Sequence, residues 1–332
     1  MNCLVTGSAG FIGSHLTDYL LLQGHEVLGV DNLVSGNRKN LEKAFANQKF
    51  TFKEIDLSDA QQVNEISGEF DLLFHLAALA EIVPSIQNPK GYFDANVTGT
   101  FNICQHSRHL NVKKLIYAAS SSCYGIPEHY PTTEDSALRP QYPYALTKLL
   151  GEQIVMHWHK VYGIPALSLR LFNVYGPRAR TSGTYGAVLG VFLAQKFANE
   201  PLTIVGDGQQ KRDFTFVDDV VRAFYLAAIS QLDGKIYNVG SGNPRKVIEL
   251  ANMISDDEIY FIPKRPGEPD VTFADISRIR EDLGWEPLFS LEEGLIRVLE
   301  SSSDWKNAPV WTPEKIALAT SDWFRFLGEN VK

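Results

Sequence analysis

Short apolar runs alternate with amphipathic stretches through the first half of the chain. Residues 2–6 form an apolar run that ends at Gly7, and residues 11–20 then place apolar side chains at helical spacing. After a glycine break, residues 26–30 form a second apolar run that ends at Asp31. The pattern predicts a strand, a helix and a second strand within about 30 residues.

The same alternation continues as far as residue 171. It predicts strands at residues 50–55, 71–75, 115–119 and 166–171, and helices at residues 60–66, 96–110 and 144–162. Strands that alternate with helices favour a parallel sheet covered on both faces. We therefore predict an α/β fold built on a doubly wound parallel sheet.

The rhythm changes after residue 172, where glycine and proline become denser. Helical patterns recur at residues 218–230, 247–253, 276–283 and 291–299. We interpret 1–172 as a first domain, to which later elements can return, 173–304 as a smaller α/β lobe, and 305–332 as a C-terminal extension. Thr312 and Pro313 predict a helix start in this extension. We expect its tryptophans to pack on the lobe, with a subunit contact as the alternative.

Composition and charge narrow the class of protein. The chain has 332 residues, of which 44% are hydrophobic and 21% charged, as in ordinary globular proteins. Its formal net charge of −8 gives no electrostatic case for binding nucleic acid as a whole. No run of about 18 apolar residues and no signal-peptide pattern is present, so no membrane partner is expected. Three cysteines without paired spacing predict a reducing compartment, no metal site, and a soluble cytoplasmic protein.

Gly7, Gly10 and Gly13 follow the first predicted strand and open the first helix. Glycines at this spacing allow a tight turn, close approach of the backbone to a pyrophosphate, and close packing of helix on strand. The helix N-terminus adds N–H donors for phosphates. Asp31 can accept the hydroxyls of an adenosine ribose and would repel a 2′-phosphate, which favours NAD over NADP. Arg38 would suit a 2′-phosphate, and an ordinary turn is the other alternative.

Two further stretches suit a long dinucleotide. Asp56-Leu57 follows the third predicted strand and can reach an adenine, and Leu76-Ala77-Ala78 follows the fourth. Small residues there let the backbone pass close to a cofactor, although simple packing is the alternative. The expected cofactor-binding set also includes Phe11, Ile12, Asn32, Asn96, Tyr144 and Lys148.

Tyr144 and Lys148 lie four positions apart on a predicted helix, so their side chains share one face. A free tyrosine has a pKa of about 10, and a neighbouring ammonium together with a positive nicotinamide favours the phenolate. We therefore predict that Lys148 lowers the pKa of Tyr144, which would accept a hydroxyl proton. Ser120 follows the fifth strand, where open α/β sheets place their ligand crevice. A chance surface pair and a plain serine-rich loop are the alternatives.

Taken together, the glycine motif, Asp31, Ser120 and Tyr144-x-x-x-Lys148 resemble the extended short-chain dehydrogenase/reductase family. Within it, the chain is similar to nucleotide-sugar 4-epimerases that act on UDP-galactose or UDP-N-acetylhexosamines, from residue 1 to about residue 300. The resemblance implies a Rossmann domain with a C-terminal substrate lobe, bound NAD, and Ser120, Tyr144 and Lys148 as catalytic residues. It also implies a homodimer, formed through the helix of Tyr144 and the helix near residues 95–110, and a place in polysaccharide biosynthesis.

The resemblance further implies which residues bind a nucleotide-diphosphate sugar. Asn173, Arg212 and Arg265 match positions that hold the diphosphate, and Ser121 and Ser122 match neighbours of the sugar. Two arginines suit a diphosphate because charge-assisted hydrogen bonds to phosphate are strong and directional. Surface salt bridges are the alternative for both.

The resemblance implies an opening oxidation at the sugar C4, which leaves a 4-keto sugar. Dehydratases of the family carry Asp-Glu directly after the catalytic Ser or Thr, and decarboxylating relatives carry a nearby Glu. This chain has Ser121 and Ser122 instead. Return of the hydride to the opposite face, which is 4-epimerisation, is therefore the favoured outcome.

The identity of the sugar stays open. Thr272 matches a family position that limits the space for the substituent at the sugar C2. A small residue there favours UDP-GlcNAc/UDP-GalNAc as substrates, and UDP-Glc/UDP-Gal are the second candidate pair. Ala80 departs from the lysine of many galactose-type relatives, and Glu81 either binds the sugar or faces solvent. Arg180 matches an arginine of glucuronate 4-epimerases, so UDP-glucuronate is the alternative substrate, although those relatives have Thr where Asn173 stands.

Other nucleotide bases, a dehydratase reaction, a one-way dehydrogenase and a non-catalytic NAD-binding protein are the remaining alternatives. The catalytic set argues against the last of these.

Overall fold

The computed structural model describes residues 1–179, 188–301, 305 and 308–328. Its strands are β1 (Asn2–Thr6), β2 (Glu26–Asp31), β3 (Phe50–Glu54), β4 (Leu72–His75), β5 (Lys114–Ser120), β6 (Ala166–Leu171), β7 (Val174–Tyr175), β8 (Leu202–Val205), β9 (Lys211–Arg212), β10 (Thr215–Phe216), β11 (Lys235–Val239), β12 (Arg245–Lys246) and β13 (Ile259–Ile262).

The α-helices are α1 (Phe11–Leu22), α2 (Glu42–Phe45), α3 (Ala60–Val63), α4 (Ile82–Gln87), α5 (Pro89–Phe93), α6 (Gly99–Ser107), α7 (Pro143–Tyr162), α8 (Val188–Phe197), α9 (Val217–Ile229), α10 (Val247–Ile254), α11 (Ser277–Leu283), α12 (Leu291–Glu300), α13 (Pro313–Ala319) and α14 (Ser321–Leu327). Short 3-10 turns cover Arg38–Leu41 and Ser121–Tyr124, and a π-helical turn at Asp94–Thr98 leads into α6.

Seven parallel strands form the central sheet, in the order β11-β6-β5-β4-β1-β2-β3. The chain starts at β1 in the middle, builds outward to β3, and then crosses to β4 on the other side. The carboxyl ends of β1 and β4 therefore flank a topological switch point, where such sheets bind ligands. This architecture confirms the predicted doubly wound α/β fold.

Alternate residues of each strand face opposite helical layers. One layer brings α1 and α9 against side chains such as Val5 and Phe74. The other brings α3, α6 and α7 against side chains such as Leu4 and Leu73. Because both faces are covered, β4 and β5 are buried along their whole length.

A smaller lobe follows the first six strands. Its core joins α8, α10 and α12 to the parallel pair β8 and β13. The chain does not stay in this lobe, because β11 pairs with β6 and returns to the central sheet. Trp305 is 3% exposed in the core of the lobe. The interface between sheet and lobe thus contains chain from both halves of the sequence.

Several helices differ from the sequence-based predictions. The helix predicted at 60–66 is only Ala60–Val63, capped by the Asp59 carboxylate, and the one predicted at 96–110 ends at Ser107. The predictions also lacked α2, α4, α5, α8 and α14. Helix α8 is almost entirely apolar and largely buried, so it has no polar face to reveal a helical period.

The described cysteines Cys3, Cys104 and Cys123 are buried and carry free thiols. Burial raises the pKa of all three thiols, to about 12 for Cys3 and Cys123. In the ranges given above, no helix has both the length and the apolar character needed to cross a membrane.

Candidate active site

The turn after β1 has no room for a side chain at Gly7 or Gly13. A Cβ on Gly13 would lie 2.0 Å from the Gly7 carbonyl oxygen, and one on Gly7 would lie 2.7 Å from the Ala77 nitrogen. Gly7 also has a φ of 73°, in the left-handed region that favours glycine. Gly10 precedes α1 as its N-cap without adding a side chain. The result is a bare backbone cradle at the N-terminus of a helix, which fits the pyrophosphate of a dinucleotide.

Asp31 lies beside this cradle and is 8% exposed. Its carboxylate accepts hydrogen bonds from the Ala9 and Leu33 backbone nitrogens, at 3.0 and 2.8 Å. Burial raises the pKa of the carboxyl, and these N–H donors lower it. Arg38 stacks on the rings of Phe45 and Phe52, with its guanidinium carbon 4.7 and 5.3 Å from their centroids. The acid beside the cradle therefore supports NAD rather than NADP.

Two of the remaining predicted cofactor residues serve local turns. The Asn32 amide oxygen accepts a hydrogen bond from the Val34 nitrogen, and the Asp56 carboxylate accepts from the Ser58 nitrogen and hydroxyl. Leu57 is 6% exposed and packs in the core. Their contacts with a cofactor stay predictions.

The segment after β4 is held in place by hydrogen bonds from the side chain of Asn96, which is 1% exposed. Its amide accepts from the Leu79 nitrogen at 2.7 Å, and donates to the Leu79 oxygen and the Thr147 hydroxyl at 3.0 Å each. Asn96 thereby ties the stretch that holds Leu76, Ala77 and Ala78 to helix α7. Its hydrogen bonds identify it as a residue that positions this segment.

A buried histidine lies beneath the same segment. His75 contacts the Thr6 hydroxyl through Nδ1 at 2.7 Å and the Thr100 hydroxyl through Nε2 at 2.9 Å. Thr100 donates its own proton to the Asn96 carbonyl, so Nε2 carries the proton and Nδ1 accepts from Thr6. Burial lowers the pKa of His75 to about 3, which keeps the ring neutral. His75 was not predicted as a site residue, because its two hydrogen-bond partners, Thr6 on β1 and Thr100 on α6, are distant from it in sequence.

Ser120 and Tyr144 meet at the carboxyl end of β5. The Ser120 side chain hydrogen-bonds to the Tyr144 phenol, and its oxygen also lies 2.9 Å from the Ser122 hydroxyl. Tyr144 sits in the first turn of α7, directly after Pro143 at the first helical position. Its ring lies parallel to that of Tyr142, with centroids 6.4 Å apart. A hydroxyl pair is thus held at the mouth of the sheet.

Lys148 lies one turn further along α7 and is 4% exposed. Burial lowers the pKa of its ammonium to about 7, while the nearby Glu152 carboxylate raises it. Its Nζ is 4.4 Å from the centroid of the Tyr117 ring. The lysine is therefore poised between its charged and neutral forms near neutral pH.

The electrostatics of Tyr144 in the protein alone differ from those expected with NAD bound. Burial raises the pKa of the phenol, and the Ser120 hydrogen bond opposes this rise. In the protein alone, desolvation of the phenol dominates its pKa. The predicted lowering of this pKa depends on Lys148 together with the positive nicotinamide, and it stays a prediction for the complex with NAD.

Helix α7 is anchored by a buried ion pair. Arg170 on β6 donates from Nη2 and Nε to the two Glu152 carboxylate oxygens, at 2.7 and 3.0 Å, and both side chains are at most 4% exposed. Ser168 adds a hydroxyl donor to Glu152 at 2.8 Å. This anchor lies one turn beyond Lys148, and it fixes the face of α7 that carries Tyr144.

A cavity of about 470 Å³ opens between the sheet and the lobe. Many of the predicted residues line it: Phe11, Ile12, Glu81, Ser120, Ser121, Ser122, Tyr144, Asn173, Arg212, Arg265 and Thr272. Arg180 falls outside the described residues. The cavity brings hydroxyl groups and guanidinium groups to one shared site.

Glu268 holds the two arginines at their end of the cavity. Its carboxylate lies 3.1 Å from Arg265 Nη1 and 3.7 Å from Arg212 Nη2. Arg212 also donates to the Pro269 carbonyl at 2.9 Å, and burial lowers the pKa of its guanidinium. Glu268 was not predicted as a site residue, although its spacing of three residues from Arg265 is visible in the sequence.

Asn173 and Thr272 form a linked pair in the cavity wall. The Thr272 hydroxyl donates to the Asn173 amide oxygen at 2.6 Å and accepts from the Asp213 nitrogen at 3.0 Å. Asn173 has a φ of 30°, in a region that Asn tolerates better than most residues. The two segments that the sequence analysis took to bind substrate therefore meet in space.

Comparisons with known proteins agree with this geometry. A family model described as "NAD dependent epimerase/dehydratase family" matches residues 3–240. The chain is 38% identical over 308 residues to a UDP-glucose 4-epimerase from Mycolicibacterium smegmatis, which covers 90% of this chain and 98% of the relative.

Two solved structures are also similar. A UDP-N-acetylglucosamine 4-epimerase from Methanobrevibacter ruminantium, in complex with UDP-N-acetylmuramic acid, has a TM-score of 0.85 and 33% identity, over 90% of this chain and 97% of that one. A UDP-glucuronic acid 4-epimerase from Bacillus cereus, in complex with UDP-glucuronic acid and NAD, has a TM-score of 0.84 and 31% identity, over 91% and 99%.

Proposed function

The chain belongs to the NAD-dependent epimerase/dehydratase family, and from this premise we propose that it interconverts UDP-GlcNAc and UDP-GalNAc by inversion at C4. The observation that carries the proposal is that one cavity is lined both by Ser120 and Tyr144 and by Arg212 and Arg265. The rings of Tyr142 and Trp323 lie between Tyr144 and Arg265. That arrangement suits a ligand with a reactive hydroxyl on one side and a diphosphate on the other.

At the reactive end, Tyr144 in its phenolate form takes up the proton of the sugar 4-hydroxyl and becomes the neutral phenol as that carbon is oxidised, and it returns the proton when the carbon is reduced. The Ser120 hydroxyl hydrogen-bonds to the same oxygen. Lys148, the next charged group along this face of α7, stabilises the phenolate while it carries its ammonium proton. When bound, NAD supplies the hydride acceptor and donor for C4.

At the other end, Arg212 and Arg265 anchor the diphosphate. Charge-assisted hydrogen bonds to phosphate oxygens are strong, so the nucleotide stays fixed while the sugar turns over. Inversion at C4 needs a fixed nucleotide and a mobile hexose, because the hexose must present both of its faces to the same reactive groups. The cavity supports it with charged groups at the anchored end and hydroxyl and aliphatic groups beside the sugar.

Epimerisation, rather than loss of water, is supported by the residues around Ser120. Ser121 and Ser122 line the cavity beside it, where an acid and base would be needed for elimination. Thr272 is small and hydrogen-bonded to Asn173, which leaves room for an N-acetyl group. We assign the bare cradle of Gly7, Gly10 and Gly13, with Asp31, to NAD.

The proposal also includes a homodimer through α6 and α7. Their exposed apolar side chains, Phe101, Leu146 and Val161, are 45%, 46% and 53% exposed. Large apolar side chains grouped on neighbouring helices favour a partner surface.

The purified protein, incubated with UDP-GlcNAc and no added cofactor, should convert it to the C4 epimer, as followed by proton NMR. UDP-glucose and UDP-glucuronate, in parallel samples, identify the preferred sugar. If UDP-glucuronate alone is converted, the N-acetylhexosamine assignment is wrong, and if none of the three is converted, the epimerase proposal fails.

Tyr144→Phe is the matched variant for this assay. It keeps the ring and its packing against Tyr142 but removes the group that carries the proton. We expect epimerisation to fall by roughly 10²–10⁴-fold with UDP affinity nearly unchanged. Full activity of this variant would exclude Tyr144 as the proton carrier.

A further inference from the structure

The C-terminal helix α14 forms part of the cavity wall. Trp323, which it carries, is 2% exposed and lines the cavity. A neighbouring contact holds the helix in place, since Gln87 on α4 donates from Nε2 to the Asp322 carboxylate at 3.1 Å. The family model ends at residue 240 and so does not include this helix.

Trp323 contacts the loop that carries Arg265. Its indole nitrogen donates to the Pro266 carbonyl at 2.7 Å. The guanidinium carbon of Arg265 lies 5.3 Å from the centroid of the indole ring. One side chain therefore holds both the backbone and the charged group of this loop.

The burial of Arg265 strengthens its contact with the indole ring of Trp323. The Arg265 side chain is 10% exposed, and a cation beside an indole is attracted more strongly where water is excluded. Glu268 holds Nη1 of the same guanidinium at 3.1 Å. Arg265 is thus fixed by a carboxylate and by an aromatic ring.

Trp323 also reaches toward the reactive end. Its ring lies 6.1 Å from that of Tyr142, which is parallel to the Tyr144 ring at 6.4 Å. A row of aromatic rings therefore connects the arginine end of the cavity to the phenol.

We propose that Trp323 is a positioning residue, which orients Arg265 for the diphosphate of the bound nucleotide sugar. The inference rests on the proposed function, because it takes the diphosphate as the ligand of Arg265. Residues 321–327 are then required for the arginine end of the site, although they are distant in sequence from every motif.

The test is a double-mutant cycle on UDP affinity, measured by titration calorimetry with the full-length holoprotein. Trp323→Ala should weaken UDP binding by about tenfold, and Trp323→Phe, which keeps an aromatic face, should weaken it less. In an Arg265→Ala background, Trp323→Ala should weaken UDP binding little further, because the guanidinium that Trp323 orients is already absent. Phe324→Ala, on the same helix and 38% exposed, is the matched control and should bind UDP normally.

Kinetics with the preferred UDP-sugar separate positioning from a general structural role. We expect Trp323→Ala to raise KM while kcat stays within a few-fold. Trp323→Phe should have a somewhat lower melting temperature than the unaltered protein but remain fully folded at the assay temperature. If Trp323→Ala weakens UDP binding equally in both backgrounds, or leaves it unchanged, the inference is overturned. If Arg265→Ala leaves UDP binding intact, the diphosphate assignment in the proposed function fails first.

Discussion

At the scale of single residues, Lys148 carries an ammonium group whose charge is costly because its side chain is buried. An unfolded lysine has a pKa of about 10.4, whereas burial lowers that of Lys148 to about 7. Between about pH 7 and about pH 10.4 the unfolded chain binds more protons at this lysine than the folded chain does. The contribution of Lys148 to the free energy of unfolding therefore rises with pH over this range. Its destabilising effect is complete below about pH 7 and disappears above about pH 10.

Lys148→Met tests this electrostatic cost. We expect the variant to be more stable than the unaltered protein at pH 6.5, by on the order of a few kcal/mol, since no charge is buried. The difference should shrink by pH 9.5. Urea unfolding of both proteins at the two pH values measures it, and a difference that does not change with pH would contradict the lowered pKa.

Gly13→Ala tests the cradle. The added Cβ would lie 2.0 Å from the Gly7 carbonyl oxygen, so the turn must move away from its present geometry. We expect the purified variant to lose most of its bound NAD, as measured by the ultraviolet absorbance released on denaturation. Gly24→Ala is the control: its φ of 81° also strains an added Cβ, but the Cβ meets nothing within 4 Å, so the variant should keep its NAD. NAD retained by Gly13→Ala would contradict the assignment.

Residues in local motifs were predictable, and residues that act across the fold were not. Gly7, Ser120 and Tyr144 each follow or open an element, so their positions can be inferred from the pattern around them. Trp323 reaches the cavity only through tertiary contacts, with Pro266 and with Tyr142. Glu268 lies three residues from Arg265, but its contact with Arg212 joins segments that are distant in sequence, and only the folded chain reveals it.

At the scale of elements, strands β1 to β6 were predicted to within one residue at either end, because each is a short apolar run bounded by turn residues. After residue 172 the strands are two to five residues long and pair with distant partners. Runs that short carry no readable alternation, so the lobe was predicted only through its amphipathic helices.

Helix α7 depends on a charge pair for its position on the sheet. Arg170→Leu would leave the Glu152 carboxylate buried without its partner, and we expect a loss of roughly 3–5 kcal/mol of stability. Arg139→Leu is the control, since the Arg139–Glu128 pair is exposed, at 55% and 63%, and contributes little. Urea unfolding measures both, and equal effects would contradict the anchoring role.

At the scale of the whole molecule, the exposed apolar residues of α6 and α7 predict self-association. Phe101→Glu places a charge in that surface, so we expect it to convert a dimer of twice 37.1 kDa into monomers, as measured by light scattering during gel filtration. Leu22→Glu, at an 81% exposed position of α1, should leave the dimer intact. A monomeric unaltered protein would contradict the proposed interface.

The three buried thiols can also report how often the fold opens locally around each of them. Cys3 lies on β1, Cys104 on α6, and Cys123 in the turn after β5. A thiol reacts with an alkylating reagent as its thiolate, which is the nucleophile, and burial suppresses the thiolate form at all three positions. The rate at which each thiol becomes labelled therefore measures how often its part of the fold opens, so a mass spectrum taken over time maps local stability from the sheet to the catalytic edge without any introduced probe.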